Sequence, residues 1–220
     1  MDSPITPGRM RLYVLLTEAV CRLPWRETVR LLLAGGADVV QLREKDLSDA
    51  ELLERARELR EITRRAGRVL IINDRPDVAL LSDADGVHLG QDDLPPPAVR
   101  EMLPRPMAIG LSTHSPEQAG RAEALGVDYI GVGPVAPTPT KGYREGGGPE
   151  LVRRACQSTS LPAVAIGGIT RQNAVECIRA GAAGVAVCSA LCAADDPERA
   201  ARELRSAVLD AVRQGGQSCG

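Results

Sequence analysis

Residues 163–189 read AVAIGGITRQNAVECIRAGAAGVAVCS. An apolar run from Ala163 ends at Gly167-Gly168, Thr170 then opens a helical stretch over 170–180, and Gly181-Ala182 precedes a second apolar run, Gly184 to Ser189. Short apolar runs bounded by glycine read as buried strands, and a polar start signal ahead of an apolar periodic stretch reads as a helix between them. Strand, helix, strand in this order is the repeating unit of a parallel sheet. The same unit recurs along the whole chain. Strands are expected at Leu12 to Thr17, Asp38 to Arg43, Val69 to Asp74, Gly86 to Gly90, Ala108 to Thr113 and Tyr129 to Gly133, besides the two just quoted. Helices are expected near 25–34, 48–66, 76–82, 95–103, 115–125, 149–157, 170–180 and 195–213, several with start signals: Ser48 before Glu51, Ser115-Pro116, and Thr170. Nearly continuous apolar strands in eight units favour an α/β fold with a single (β/α)8 TIM barrel over residues 1–220, with a short N-terminal extension (1–10) and a C-terminal tail from about 214. A doubly wound open sheet is the competing reading. The one long connection, Pro134 to Gly148, has the length of a functional lid.

Composition narrows the function. The 220 residues are 44% hydrophobic and 25% charged, with 27 basic against 29 acidic residues and a formal net charge of −2. That balance suits a globular protein and argues against a broad nucleic-acid or membrane-surface patch. No apolar run approaches the ~20 residues of a membrane span and no signal peptide is evident, so a cytoplasmic location is expected. The six cysteines, Cys21, Cys156, Cys177, Cys188, Cys192 and Cys219, form no C-x-x-C pair, which speaks against a zinc site and a disulfide framework. Phe is absent and only four aromatics occur, so stacking platforms are scarce. Lys45 and Lys141 are the only lysines among the 27 basic residues, a hint that a compact point charge is wanted at each.

In a parallel barrel the reactive groups project from the C-terminal strand ends. There the sequence places Gln41, Arg43, Glu44 and Lys45 after strand 2, Asn73 and Asp74 after strand 3, and Gln91 to Asp93 after strand 4. Ser112 and Thr113 follow strand 5, Thr138, Thr140 and Lys141 follow strand 6, Gly167-Gly168 strand 7, and Cys188-Ser189 strand 8. Asp74 and Asp93 suit a partly hydrated Mg2+ completed by substrate phosphate. Against that stands a plainer account: Asp74 caps the next helix or pairs with Arg75, and Asp93 closes a turn. Arg43, Lys45 and Lys141 nearby suit a diphosphate. Gly167-Gly168 with Cys188-Ser189 suits a separate phosphate, although the glycines alone could be a tight turn. His88, inside a strand pattern, reads as a packed or hydrogen-bonded histidine; His114 on the rim could be that or a base. No Ser-His-Asp or Cys-His arrangement appears, so a reaction joining two phosphorylated molecules fits the inventory.

QLREK at Gln41–Lys45, IND at Ile72–Asp74, GVHLGQDD at Gly86–Asp93, GLSTH at Gly110–His114, GVGPVAPTPTK at Gly131–Lys141 and AIGGI at Ala165–Ile169, in this order, resemble thiamine phosphate synthase. The resemblance spans residues 12 to about 190. It implies a Mg2+-dependent transferase that condenses 4-amino-2-methyl-5-hydroxymethylpyrimidine diphosphate with thiazole phosphate, or its carboxylate form, to thiamine phosphate and diphosphate. It implies that Gln41, Leu42, Arg43, Glu44, Lys45, Asn73, Ser112 and Lys141 bind the pyrimidine diphosphate, and that Asp74 and Asp93 bind the metal. Thr138, Pro139, Thr140, Gly168, Cys188 and Ser189 would bind the thiazole phosphate. Lys141, Lys45, Arg43 and Ser112 would carry catalysis, by a dissociative route through a pyrimidine-stabilised carbocation that needs no base or nucleophile. Partners are then small phosphorylated substrates, without nucleic acid or membrane, and homo-oligomerisation is left open. Departures from the family pattern are Ala136, Cys188 and the glycine-rich 142–149. Two alternatives are a thiazole tautomerase-like barrel, which carries a histidine where Pro134 stands, and a non-catalytic barrel that binds phosphorylated ligands.

Overall fold

The computed structural model describes residues 5–137 and 145–216. Eight parallel strands close into a barrel in sequence order: β1 (Leu12–Leu16), β2 (Val39–Leu42), β3 (Val69–Asn73), β4 (Gly86–Leu89), β5 (Ala108–Thr113), β6 (Tyr129–Val132), β7 (Ala163–Ile166) and β8 (Gly184–Val187). Closure is direct. β1 pairs with β8 through Leu12 with Val185, Tyr13 with Ala186 and Val14 with Val187, which rules out the open sheet. Around the strands lie α1 (Trp25–Ala34), α2 (Asp49–Arg65), α3 (Pro76–Leu81), α4 (Pro96–Met102), α5 (Pro116–Ala122), α6 (Gly148–Gln157), α7 (Arg171–Arg179), α8 (Ser189–Cys192) and α9 (Pro197–Gly216).

Alternation along each strand decides where every side chain goes. Leu12, Val14 and Leu16 of β1 join Val40, Leu42, Leu70 and Ile72 in the layer between strands and helices. The opposite phase, Tyr13, Leu15, Val39, Ile71, Tyr129 and Val164 among it, fills the barrel interior. The expected start signals hold. Ser48 and Thr170 form capping boxes with Glu51 and Asn173, and Ser115 accepts a hydrogen bond from the Gln118 N–H with Pro116 in the first turn.

Several boundaries differ from expectation. Most strands end one or two residues early, because at the mouth the chain leaves its neighbour and turns into the loops. Ser189, expected to end a strand, begins the four-residue α8, which periodicity cannot detect at that length. The segment expected to be an extension is partly core: Ile5 and Met10 are buried in the interior cluster and close the bottom. α9 runs on to Gly216.

At that bottom end a motif repeats. Asp38 accepts from the Leu12 N–H at 3.0 Å, Asp85 from Leu70 at 2.8 Å and Asp128 from Ile109 at 2.7 Å. Each carboxylate just before an even strand thus clamps the odd strand preceding it, and each is also held by arginine: Arg68 and Arg205 on Asp38, Arg60 on Asp85, Arg100 on Asp128. Before β8 stands Ala183 instead, whose carbonyl accepts from Arg11 at 2.7 Å. No helix among the described residues is long and apolar enough to cross a membrane.

Candidate active site

The C-terminal mouth holds three adjoining hollows. The first is lined by Arg43, Lys45, Asp74 and Asp93, with Asn73 and Gln91 beside them. The second, between β7 and β8, is lined by Gly167, Gly168, Cys188 and Ser189, with Arg43 and His114 at its edge. The third is a narrow floor inside the barrel, bounded by Tyr13, Gln41, Asn73, His88 and Tyr129. Ser112 lines all three.

Asp74 sits at φ +60, a left-handed conformation that Asp tolerates better than most residues. Its amide donates to the His88 carbonyl at 2.8 Å, and Lys45 Nζ lies 3.7 Å from Oδ2. The plainer account of Asp74 fails. The residue ahead of α3 is Arg75, no side chain caps that helix, and Arg75 pairs with Asp77 and Asp49 rather than Asp74. For Asp93 the plainer account holds in part, since Oδ2 accepts from the Gly90 N–H at 2.6 Å and closes the turn. Among the described residues no group of three or more His, Cys, Asp or Glu is arranged to hold a metal. Asp74 and Asp93, with the exposed Asp92 beside them, offer carboxylate oxygens to a hard cation that keeps most of its water and takes phosphate oxygens, not an all-protein cage, while Arg43 and Lys45 bring positive charge to the same hollow.

The run Gln41–Lys45 splits by strand parity. Gln41 is buried on the interior floor and Arg43 reaches two of the hollows, whereas Leu42, 1% exposed, packs into the outer core. Glu44 also turns away from the mouth: its Oε1 accepts from the Glu18 amide at 2.7 Å and pairs with Arg55 at 3.1 Å. Neither side chain meets the hollow expected to take the diphosphate. Thr138, Pro139, Thr140 and Lys141 lie outside the described residues, as do 142–144 of the long connection.

At the second hollow Gly168 has φ +63, and a Cβ there would stand 2.8 Å from both Ala136 Cβ and the Pro137 carbonyl oxygen. Its own carbonyl accepts from Asn173 Nδ2 at 2.9 Å, which ties the glycine turn to the start of α7. Cys188 precedes α8, and a hydrogen bond with the Cys192 thiol, helped by Arg43, holds its pKa below the ordinary thiol value against the effect of burial. His88 is packed and hydrogen-bonded, as its strand position suggested: Nδ1 meets Tyr129 Oη at 3.1 Å and Nε2 meets Ser112 Oγ at 2.9 Å. His114 Nδ1 donates to the Gly133 carbonyl at 2.6 Å. Sequence reasoning missed Tyr13 and Tyr129 as site residues. The available signal was an inward phase shared with Gln41 and His88.

Comparison with known proteins decides the family. The model of the family described as thiamine monophosphate synthase matches residues 12–191. The chain belongs to this family. Thiamine-phosphate synthase of Chloroflexus aurantiacus is 47% identical over 200 residues, covering 90% of this chain and 92% of the relative. That of Archaeoglobus fulgidus is 50% identical over 179 residues, covering 81% and 84%. Among solved structures, thiamine phosphate pyrophosphorylase from Pyrococcus furiosus superposes with a TM-score of 0.87 at 39% identity, covering 94% of this chain and 98% of that one. Membership of the thiamine monophosphate synthase family makes the protein a transferase of thiamine biosynthesis and fixes the mouth of the barrel as the place to look for its chemistry.

Proposed function

We propose that the protein condenses 4-amino-2-methyl-5-hydroxymethylpyrimidine diphosphate with thiazole phosphate, releasing diphosphate and thiamine phosphate. The observation that carries this reading is the two-ended mouth: a hollow with Arg43, Lys45, Asp74 and Asp93, and a glycine-turn hollow at Gly167-Gly168 and Cys188-Ser189, meeting at Ser112. Each end suits one phosphorylated partner. Gln41 and Asn73 on the floor hold the pyrimidine, Arg43, Lys45, Ser112 and Lys141 take its diphosphate, and Gly168, Cys188 and Ser189 hold the thiazole phosphate with Thr138 to Thr140. Asp74 and Asp93 hold Mg2+, which supplies positive charge to the diphosphate oxygens.

Chemically, the C–O bond between the pyrimidine methylene and the diphosphate breaks, and its electron pair leaves with the diphosphate. The thiazole nitrogen lone pair then forms the C–N bond. That nitrogen carries no proton, so no general base is required, in keeping with a His88 committed to two hydrogen bonds. Arg43, Lys45 and Lys141 stabilise charge that grows on the departing oxygens, the largest single contribution such a site can make. The direct test is an assay of purified protein with both substrates and Mg2+, following thiamine phosphate; folded protein that yields none overturns the reading.

Three substitutions separate the ends. Asp74→Asn and Asp93→Asn should each lose most activity at low Mg2+ and raise the Mg2+ needed for half-maximal rate about tenfold, since removing one of two carboxylates lowers occupancy of a weakly held ion. An unchanged Mg2+ curve in both would return the pair to structural roles. Gly168→Ala should raise the KM for thiazole phosphate about tenfold with little change for the pyrimidine diphosphate, because the added Cβ strains the turn and obstructs the backbone's approach to phosphate. Calorimetry showing equal weakening for both substrates would erase the division.

A further inference from the structure

Beneath the mouth, five polar side chains from five strands join in one line. Gln41 Nε2 donates to Tyr13 Oη at 2.7 Å, Tyr13 and Tyr129 share a hydrogen bond at 3.0 Å, and Tyr129 Oη meets His88 Nδ1 at 3.1 Å. His88 Nε2 meets Ser112 Oγ at 2.9 Å. Gln41, Tyr13, Tyr129 and His88 are all buried. Burial raises the pKa of both phenols, so each keeps its proton near neutrality.

Proton counting then gives the line a direction. Gln41 Nε2 can only donate, so Tyr13 Oη accepts there and must send its own proton to Tyr129. Tyr129 in turn sends its proton to His88 Nδ1. A neutral imidazole whose Nδ1 accepts carries its hydrogen on Nε2 and donates it to Ser112 Oγ. The Ser112 proton is thereby directed away from the ring and toward the hollows that Ser112 lines. Running the line backwards with Gln41 in place would leave the Tyr13 proton facing an amide donor in a buried floor, an arrangement proteins avoid.

We infer that His88 is a positioning residue: the Gln41–Tyr13–Tyr129 line fixes its ring as the Nε2–H tautomer, and that tautomer makes Ser112 a hydrogen-bond donor toward the substrate's anionic oxygens. A serine 2.9 Å from a histidine otherwise has the spacing of a nucleophile and its base. Here the ring gives a proton instead of taking one, so the pair is a donor and not an activated hydroxyl. The part of this assignment that concerns the anion rests on the proposed diphosphate site; the tautomer does not.

The chain has only two histidines, so selective 15N-histidine labelling of the full-length protein resolves both rings. His114, whose Nδ1 donates to the Gly133 carbonyl, should appear as the Nδ1–H form and His88 as the Nε2–H form. An Nδ1–H signal for His88 in the wild type would mean that Gln41 presents its carbonyl to Tyr13 and the line runs the other way, overturning the inference. Tyr129→Phe should shift His88 toward Nδ1–H and weaken binding of inorganic diphosphate with Mg2+ about tenfold. Adding Ser112→Ala to it should weaken binding no further than Ser112→Ala alone. A shifted tautomer with unchanged diphosphate affinity would break the link to Ser112. His88→Gln can still donate to Ser112 and should keep most of the affinity that His88→Leu loses; equal loss in both would reduce His88 to packing. A wild-type protein that binds no diphosphate while His88 is Nε2–H would overturn the role of Ser112 and the proposed diphosphate site together, leaving the tautomer as a feature of the fold alone.

Discussion

Lys141→Ala lowers kcat about 10²- to 10³-fold at saturating substrates and kcat/KM by a similar factor, the cost of removing one preorganised electrostatic group. The expectation follows from the proposed reaction. Little charge separates in the ground state, whereas in the transition state the departing diphosphate is taking up the electron pair of the breaking C–O bond. A cation that serves the leaving group therefore acts mainly after binding, and its loss appears in kcat; one that only holds substrate changes KM alone. Lys141 is one of just two lysines among the chain's 27 basic residues, which argues that a compact charge is needed at this point of the sequence. Lys141→Arg should recover only part of the rate, because a planar guanidinium cannot occupy the same position as an ammonium. The deciding measurement is single-turnover chemistry: a wild-type rate of bond breaking in Lys141→Ala would reduce this residue to a binding group.

Gly110→Ala should destabilise the barrel by about 3 kcal/mol, at the upper end of the usual overpacking cost. A Cβ at Gly110 would fall 2.2 Å from Tyr129 Cζ and 2.5 Å from His88 Nδ1. Neither ring can yield easily, since both are buried and joined in the hydrogen-bonded line, and β5 is paired on both sides to β4 and β6. For a protein of this size the loss corresponds to a Tm lower by about 6–12 °C. Gly8→Ala is the control, because its added Cβ meets nothing within 4 Å, and its Tm should match the wild type. Scanning calorimetry that finds the Gly110 and Gly8 variants within 2 °C of each other would show that the interior is far more compliant than its packing indicates.

Much of the fold was legible because the strands are buried on both faces, so apolar runs mark all eight units, and side-chain caps at Ser48, Ser115 and Thr170 mark the start of three of the helices between them. Closure was the harder step, since the count of units favours a barrel but only the pairing of β1 with β8 excludes an open sheet. The site was legible in outline for the same reason: polar residues at strand ends have one place to go. Less legible was which way each side chain of a contiguous motif points. Gln41–Lys45 lies where a strand leaves the sheet, and a period of two sends Gln41 and Arg43 inward and Leu42 and Glu44 outward, which a motif match does not reveal. Tyr13 and Tyr129 were hidden for a related reason. In a strand pattern a tyrosine reads as bulk, and only the three-dimensional register places the Tyr129 hydroxyl against His88 and the Tyr13 hydroxyl against Gln41 and Tyr129.

The carboxylate clamps at the bottom of the barrel bear on how such a chain can diversify. Three strand pairs, β1–β2, β3–β4 and β5–β6, are secured by the same device, an aspartate bonded to a backbone N–H and an arginine, and the fourth pair is not. The exception is the pair that carries the glycine turn and the Cys188-Ser189 end. A quarter of the ring thus lacks the shared fastening while supplying one end of the mouth, and the other three quarters carry it. Rigidity and recognition draw on opposite ends of the same strands, so either can drift by substitution while the other stays as it is. In the β7–β8 quarter, substitutions at the glycine turn can therefore reshape the mouth without disturbing a carboxylate clamp.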